Sequence, residues 1–382
     1  MQTWQLPEYI ADILPQRARH LEQVKANVLA LFGRHGYELV YPPLLEYSDA
    51  LLTHIDSGLS LKTLRLSDPI SGRQLGIRAD ITPQVARIDA HLLSANQGIN
   101  RLCYAAPVLH AQPDGFLTTR EPLQTGAELY GCTDIAADIE LIDLMLKTLE
   151  MVCGGKMMLS LGHIGIFRAL ARAAALNETQ SQTLLALLQN KDRAEVAAHT
   201  RDWQLDAIWA QAFDSLTELY GTRNITQTAR QRLPQLAAVS QALDELERIC
   251  QAFPDQAVHI DLAEVRADRY HSGLLYAAYT PAHHDAVARG GRYDGLGAYF
   301  GRARPATGFS FDLRRFAGEH AQTPATVAVA QQDAAAARAA VERLRSEGVQ
   351  VVIDYGLPDN SGTRQGRLLC ENGEWVVKES ER

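Results

Sequence analysis

Polar side chains alternate along residues 121–131, a segment that predicts a strand. Because successive side chains of a strand point to opposite faces, Gln124 and Glu128 share one face, with Gly126 between them. An amide and a carboxylate beside a glycine make a poor core face but a suitable floor for a small cationic or amino ligand. A strand whose polar face meets solvent would explain the same pattern about equally well.

Residues 77–84 predict a second part of such a site, because they run from a strand into a helix. Thr82 is the expected N-cap and Pro83 the first helical residue. Asp80 and Thr82 could also accept hydrogen bonds from an ammonium group. Capping is a sufficient explanation for Thr82 but a less natural one for Asp80.

A third group of polar residues lies between two predicted strands and indicates a loop that binds a ligand. It contains Arg266, Tyr270 and His271. A His-His-Asp run follows at 283–285 and could suggest a metal, but it lies in a loop after Pro281. We therefore predict no metal site there.

The segment 288–316 combines two glycine-rich turns with a short apolar strand that ends in paired arginines. Its glycines let the backbone approach a ligand closely, at a cost in conformational entropy. Residues 306–311 predict a buried strand, and residues 313–317 predict the start of a helix. Arg314 and Arg315 could stack on a flat ring or clamp an anion. For either half of the segment alone, a tight turn beside two solvated arginines is the favoured alternative.

The composition is that of an ordinary globular protein, with 46% hydrophobic and 21% charged residues among 382. A chain of this length can bury a large core in two or three domains. No apolar run approaches the roughly 20 residues of a membrane span, and the N-terminus lacks the pattern of a secretion signal. Five scattered cysteines without a Cys-x-x-Cys pair indicate a reducing cytoplasm, and neither a zinc site nor a disulfide framework.

The net charge of −8 weakly disfavours a nucleic-acid partner. The sequence contains none of the glycine-rich phosphate-binding motifs, the nucleophile-elbow motif or the His-Glu-x-x-His zinc motif. We therefore predict no cofactor, no metal and no membrane contact.

The elements around these residues follow the order expected of an α+β protein with a largely antiparallel sheet. Helices are predicted over 16–35 and, with one short interruption, over 134–176, and a wholly helical insertion over about 177–254. A β-α-β unit over 326–353 and a hairpin at Asn372 end the chain. Strands are predicted over 37–41, 62–67, 73–78, 100–110, 121–131, 258–266 and 271–280.

Four segments, in order along the chain, resemble the histidyl-tRNA synthetases, which are class II aminoacyl-tRNA synthetases. Residues 36–49, GYELVYPPLLEYSD, are similar to motif 1, which forms the dimer interface in that family. Residues 77–87, IRADITPQVAR, resemble the segment that binds the amino group of histidine. Residues 101–131 are similar to motif 2, and residues 290–316, from GGRYDGL to LRRF, are similar to motif 3.

The resemblance covers nearly all of residues 1–320 and implies a class II synthetase-like antiparallel sheet flanked by helices, with a helical insertion. Residues 324–382 would form a small α/β domain, a βαβ unit with a hairpin, that is reduced relative to an anticodon-binding domain. This tail carries seven basic and nine acidic residues, which makes it a poor partner for RNA phosphates. We therefore do not expect tRNA as a ligand.

The nucleotide-binding positions depart from the synthetase pattern. His110 stands where the family has an arginine that grips the α-phosphate of ATP, and Gln112 replaces an acidic residue. Arg120 is what remains of a denser basic cluster, while Arg315 matches the motif 3 arginine. A largely neutral histidine cannot make a bidentate phosphate contact. We therefore interpret these four residues as a degenerate nucleotide site and expect no catalytic activation of an amino acid.

The amino-acid pocket matches the synthetase family more closely. Gln124 and Glu128 match residues that hold histidine, and Tyr270 lies where a tyrosine lines the imidazole. Asp80 stands in for a glutamate of like charge, and Thr82 matches outright. The resemblance thus implies a histidine site formed by Asp80, Thr82, Gln124, Glu128, Arg266, Tyr270 and His271.

A synthetase fold with a degenerate nucleotide site and a reduced tail resembles the regulatory subunits of ATP phosphoribosyltransferase. That resemblance implies a non-catalytic partner of the short-form catalytic subunit, in the first step of histidine biosynthesis. It also implies a homodimer of this chain, a hetero-octamer, activation of the catalytic subunit and feedback inhibition by histidine. An active histidyl-tRNA synthetase with an unusual ATP site is the alternative, and a paralogue that modifies another protein or a small molecule is a third interpretation.

Overall fold

A computed structural model describes residues 4–52, 57–113, 115, 118–264, 271–318, 326–357 and 364–379. The chain divides into two compact units. The larger unit comprises Met1–Ile13 and Leu21–Ala317, and the smaller comprises Leu14–His20 and Gly318–Arg382.

The described residues form twelve α-helices. None of them is both long enough and apolar enough to cross a membrane. A π-helical turn covers Ile88–Leu92, and 3-10 turns cover Leu296–Phe300, Leu313–Phe316 and Gln331–Asp333. The α-helices are α1 (Pro15–Arg34), α2 (Ser48–Leu52), α3 (Ser57–Lys62), α4 (Thr82–Arg87), α5 (Ala136–Cys153), α6 (Ile164–Ala173), α7 (Glu178–Gln189), α8 (Arg193–Asp202), α9 (Ala207–Leu216), α10 (Ile225–Arg232), α11 (Ala237–Ala252) and α12 (Arg338–Ser346).

Strands of the described residues form three sheets. They are β1 (Glu38–Leu39), β2 (Leu45–Tyr47), β3 (Arg65–Ser67), β4 (Gln74–Ile77), β5 (Asn100–Pro107), β6 (Leu123–Tyr130), β7 (Met158–His163), β8 (Tyr220–Gly221), β9 (Ala257–Asp261), β10 (Leu274–Tyr279), β11 (Ala288–Arg292), β12 (Ala306–Asp312), β13 (Thr326–Ala330), β14 (Gln350–Asp354), β15 (Arg364–Glu371) and β16 (Glu374–Glu379).

The main sheet of the larger unit contains nine of the described strands, in the order β1-β5-β6-β12-β11-β10-β7-β9-β8. The β1–β5 and β7–β9 pairs are parallel, and the other neighbours are antiparallel. A smaller sheet, β2-β4-β3, contains the antiparallel pair β3–β4, which falls within the strands predicted over 62–67 and 73–78. The predicted α+β fold with a largely antiparallel sheet flanked by helices is confirmed.

One face of the main sheet is sealed by α5, whose apolar residues recur at the spacing of a single helix face. Leu141, Leu144 and Met145 of that helix are fully buried in the core. On the same side, Phe309 of β12 meets Phe32 of α1 edge to face, with ring centroids 6.0 Å apart. This side is packed mainly with apolar groups, and Gln124 and Glu128 of β6 lie on the opposite face.

The insertion, predicted to be wholly helical over 177–254, contains α7 to α11 but also the strand β8. β8 pairs antiparallel with β9 and forms the edge of the main sheet, so the all-helical prediction is wrong at this point. Glycine costs about 1 kcal/mol in a helix interior, and the open edge of β9 offers partners for the backbone of Tyr220 and Gly221.

The smaller unit contains a four-stranded sheet of the order β14-β13-β15-β16 among its described strands. β13 and β14 are parallel and joined through α12, as the β-α-β pattern predicts. The predicted Asn-Gly hairpin is also confirmed, since Asn372 and Gly373 have φ angles of 52° and 86° between β15 and β16. Such positive φ values are those of a two-residue hairpin turn, which Asn-Gly favours.

Candidate functional site

A cleft of about 740 Å³ opens over the polar face of the main sheet. It brings together residues that are far apart in the chain. The sequence-predicted residues that line it are Asp80, Thr82, His110, Gln124, Glu128, His271 and Arg315.

Four other predicted residues are placed differently. Gln112 is exposed and Arg120 is half-buried, and neither belongs to the lining that the described residues provide. Arg266 and Tyr270 fall within 265–270, outside the described residues.

Glu128 forms the buried floor of the cleft. Its carboxylate accepts hydrogen bonds from the Tyr104 hydroxyl at 2.9 Å and the Thr82 hydroxyl at 3.1 Å. The Tyr293 hydroxyl donates to the second carboxylate oxygen. Burial raises the pKa of Glu128 to about 8, and these hydroxyl donors oppose the shift only in part. A ligand that donates an N–H, or carries a positive charge, would therefore favour the ionised carboxylate.

Two glycines make the room that Glu128 and Tyr104 occupy. A Cβ atom at Gly308 would lie 1.5 Å from the Glu128 carboxylate, which is the cross-strand neighbour of this residue. A Cβ atom at Gly126 would lie 2.7 Å from the Tyr104 hydroxyl oxygen, again across paired strands. The close approach of side chain to backbone at both points requires glycine.

Gln124 connects the floor of the cleft to the turn that precedes α4. Its amide oxygen accepts from the Ile81 backbone N–H at 2.9 Å. Its amide nitrogen donates to Asp80 Oδ1 at 2.8 Å and to the Ser310 hydroxyl at 3.3 Å. Because these bonds use both ends of the amide, Gln124 is held in one orientation and fixes Asp80 in turn.

The structure places neither Asp80 nor Thr82 at the N-cap of α4. The N-cap is Ile81, which makes no side-chain capping bond, and the backbone N–H of Thr82 donates to Asp80 Oδ1 at 3.1 Å. Thr82 is the first residue of α4, and its hydroxyl is directed to Glu128. The prediction of Thr82 as the N-cap is therefore wrong, because the buried carboxylate competes successfully for its hydroxyl.

Sequence reasoning missed the buried tyrosines of the cleft, Tyr104 and Tyr293, which are 0% and 2% exposed. Burial, with the nearby Glu128 charge, raises both pKa values well above the usual value, so both hydroxyls stay neutral donors. A register for the β5–β6 pair would have found Tyr104, because that tyrosine lies directly opposite Gly126. Tyr293 lies within the glycine-rich segment 288–316, in which the sequence analysis assigned ligand contacts only to Arg314 and Arg315.

The arginine of the GGRYDG turn is directed away from the cleft. Arg292 donates through Nε to Asp138 of α5 at 3.1 Å and through Nη1 to the Cys132 carbonyl at 3.0 Å. Burial raises the pKa of Asp138, and the Arg292 charge opposes this shift. Arg292 therefore ties the sheet to its covering helix.

The end of the cleft that carries His110 and Arg315 is the one predicted to be a degenerate nucleotide site. His110 Nε2 lies 3.0 Å from the Ala79 carbonyl oxygen. Arg120 Nε donates to the His110 carbonyl at 3.0 Å, and Arg315 Nη1 donates to the Ala286 carbonyl at 3.2 Å. These three side chains thus bond to backbone carbonyls of the protein itself.

The paired arginines lie within a short 3-10 turn rather than in a longer helix. Asp312 accepts from the Arg314 N–H at 3.0 Å and caps the 3-10 turn Leu313–Phe316. Arg314 forms an ion pair with Glu121 at 3.0 Å. Within the described residues no group of three or more histidine, cysteine or acidic side chains is arranged to hold a metal ion.

Comparison with known proteins assigns the fold and the family. A histidyl-tRNA synthetase family model matches residues 9–316. An ATP phosphoribosyltransferase regulatory subunit of Neisseria meningitidis is 65% identical over 380 residues, 99% of each chain.

Two solved structures share the architecture. A Bacillus halodurans protein described as an ATP phosphoribosyltransferase regulatory subunit/histidyl-tRNA synthetase is 25% identical. It superposes with a TM-score of 0.84 over 96% of this chain and 98% of that chain. A histidyl-tRNA synthetase of Nostoc, 16% identical, has the same fold, with a TM-score of 0.78 over 99% of this chain and 97% of that one. The chain belongs to the family of ATP phosphoribosyltransferase regulatory subunits, which share the histidyl-tRNA synthetase fold.

Proposed function

We propose that this chain is the non-catalytic regulatory subunit of a short-form ATP phosphoribosyltransferase and binds histidine in the cleft described above. The observation that supports this most is the buried carboxylate of Glu128, held by three hydroxyl donors at the floor of a cleft. A buried carboxylate with a raised pKa is a costly group to retain without a ligand that uses it.

Histidine offers groups that suit each part of the cleft. Its imidazole has a pKa near 6.5 and presents N–H donors at either charge state, which suits the Glu128 carboxylate. Its ammonium group suits Asp80, whose Oδ1 is already fixed by the Gln124 amide and by the backbone N–H of Thr82. We propose that Arg266, Tyr270 and His271 complete the site, and that Tyr270 lines the imidazole.

The nucleotide end of the cleft gives little support to amino-acid activation. Stabilising the developing charge of phosphoryl chemistry requires donors aimed at the phosphates, and loss of one such donor typically costs about 10²–10³ in rate. Here Arg120 and Arg315 bond to carbonyls, and His110 does the same. An active histidyl-tRNA synthetase should catalyse histidine-dependent ATP–pyrophosphate exchange, and we expect none from this chain.

Regulation requires that histidine bind two states of the complex with different affinities. A coupling of about 1–3 kcal/mol is typical of such linkage. We propose a cytoplasmic hetero-octamer of this chain and the catalytic subunit, with homodimers of this chain formed through residues 36–49. The acidic balance of residues 324–382 argues against tRNA as a ligand.

Co-purification with a short-form catalytic subunit tests the proposal. We expect a stable complex whose phosphoribosyltransferase activity exceeds that of the catalytic subunit alone and falls when histidine is added. Tyr270→Phe should weaken this inhibition and leave activation intact. A complex that does not form, or whose activity ignores histidine, would contradict the proposal, as would measurable ATP–pyrophosphate exchange by the purified chain.

A further inference from the structure

The turn that carries Asp80 is held from two directions. On one side, Gln124 accepts from the Ile81 N–H at 2.9 Å and donates to Asp80 at 2.8 Å. On the other side, the Ala79 carbonyl lies 3.0 Å from His110 Nε2. The residues before and after Asp80 are therefore each bonded to a side chain from a different part of the chain.

The imidazole of His110 is well placed for this contact. His110 is 9% exposed, and its backbone N–H donates to the Arg120 carbonyl at 2.7 Å. Its carbonyl accepts from Arg120 Nε at 3.0 Å, so both backbone groups of this residue are fixed. A second link between the two segments is the Leu109 N–H, which donates to the Arg78 carbonyl at 3.0 Å. Segments 108–110 and 78–80 thus form one rigid pair.

The contact also defines which ring nitrogen of His110 carries a proton. A carbonyl oxygen can only accept a hydrogen bond, so Nε2 must be the donor. An Nε2–H that is bonded to Ala79 is not available to a phosphate at the same time. The chemistry of His110 is therefore directed toward the turn of Asp80 and not toward a nucleotide.

We propose that His110 is a positioning residue of the effector site. Its Nε2–H holds the Ala79 carbonyl and so keeps Asp80 in the orientation that receives the ammonium group of the ligand. The inference rests on the proposed histidine site, and it gives the residue at the degenerate nucleotide position a function within that site.

Titration calorimetry on the full chain tests this role with two variants and a matched control. His110→Leu removes the donor, and His110→Gln restores an N–H at a similar reach. His163→Leu removes another buried histidine, whose Nε2 lies 2.9 Å from Glu245 and which does not line the cleft. We expect L-histidine affinity to fall about tenfold in His110→Leu and to stay within threefold of the wild type in the other two.

A second ligand separates positioning from general damage to the site. The analogue 3-(imidazol-4-yl)propionate lacks the ammonium group, so His110→Leu should bind it within twofold of the wild type. Equal weakening of both ligands, unchanged histidine affinity in His110→Leu, or failure of His110→Gln to rescue would overturn the proposal for His110. Wild-type chain that binds no histidine would instead contradict the proposed function on which this inference depends.

Discussion

The two ends of the cleft share one sheet but use their polar groups in opposite ways. At the end proposed for the amino acid, three hydroxyl donors converge on the buried Glu128 carboxylate, and Gln124 bonds to Asp80 nearby. At the nucleotide end, which is the end that carries His110 and Arg315, both of these side chains bond to carbonyls of the protein. If histidine binds at the first end as proposed, the difference means that binding and catalysis are separated within one fold, because each depends on where a few donors are aimed.

The largest effect should come from removing the charge at the floor of the cleft. Glu128→Gln keeps the size of the side chain but removes the carboxylate, and we expect histidine affinity to fall at least about 100-fold. Titration calorimetry measures this change. Glu140→Gln is the control, since Glu140 bonds to Tyr37 and Arg101 outside the cleft. If Glu128→Gln binds histidine within threefold of the wild-type affinity, the Glu128 carboxylate does not bind histidine and the two ends do not differ in the way described.

A smaller but still large effect is expected from filling the space that Glu128 uses. In Gly308→Ala the new Cβ would lie 1.5 Å from the carboxylate, so the side chain must move, and we expect more than about tenfold loss of histidine affinity. Gly295→Ala is the matched control, because nothing lies within 4 Å of its Cβ position. Equal histidine affinities in the two variants would show that the position of Glu128 does not matter.

The raised pKa of Glu128 predicts a pH effect on stability. Below pH 4.5, the pKa of this carboxyl group in the unfolded chain, the folded and unfolded chains both hold the proton. Between pH 4.5 and about 8 only the folded chain retains it. Raising the pH through this range therefore favours the unfolded chain, and the stability contributed by the raised pKa is progressively lost. The free energy of unfolding of the wild type, relative to Glu128→Gln, should therefore fall by up to about 1.4 kcal/mol per pH unit between pH 5 and 8.

Urea unfolding at several pH values measures this slope. Glu140→Gln provides the contrast, because a hydrogen bond from Arg101 lowers the pKa of Glu140 and its contribution is already complete above pH 4.5. We expect the difference in free energy of unfolding between Glu140→Gln and the wild type to stay constant from pH 5 to 8. A constant difference for Glu128→Gln as well would mean that burial does not shift the pKa of Glu128.

The smallest effect is expected at the nucleotide end. Arg315 is exposed and donates to the Ala286 carbonyl, so Arg315→Ala should change histidine affinity by less than about twofold. The same calorimetric titration measures it. A loss of tenfold or more would show that the two ends act as one site.

The sequence predicted the fold well because its signals are local. The helix periodicity of α1, the Asn-Gly hairpin and the β-α-β pattern each depend on neighbours in the chain. The four synthetase-like segments predicted the family, and the comparisons confirm it. The strand β8 was missed because its partner, β9, lies more than thirty residues away in the chain.

The site was predicted less completely, because its geometry depends on pairing between strands. Alternation on β6 selected Gln124 and Glu128, and both line the cleft. Tyr104 and Gly308 required the register of β5 and β12 against β6, which periodicity does not provide. The bond from the Thr82 hydroxyl to Glu128 depends on the buried carboxylate, so no local capping rule could predict it. The assignment of these residues to histidine binding stays a prediction.

Feedback inhibition of the reconstituted phosphoribosyltransferase complex tests the central claim most directly. Activity should be measured against histidine concentration with wild-type chain and with Glu128→Gln in its place. We predict that both chains activate the catalytic subunit and that histidine inhibits only the complex with wild-type chain. Equal inhibition of the two complexes would contradict the account and place the histidine site elsewhere.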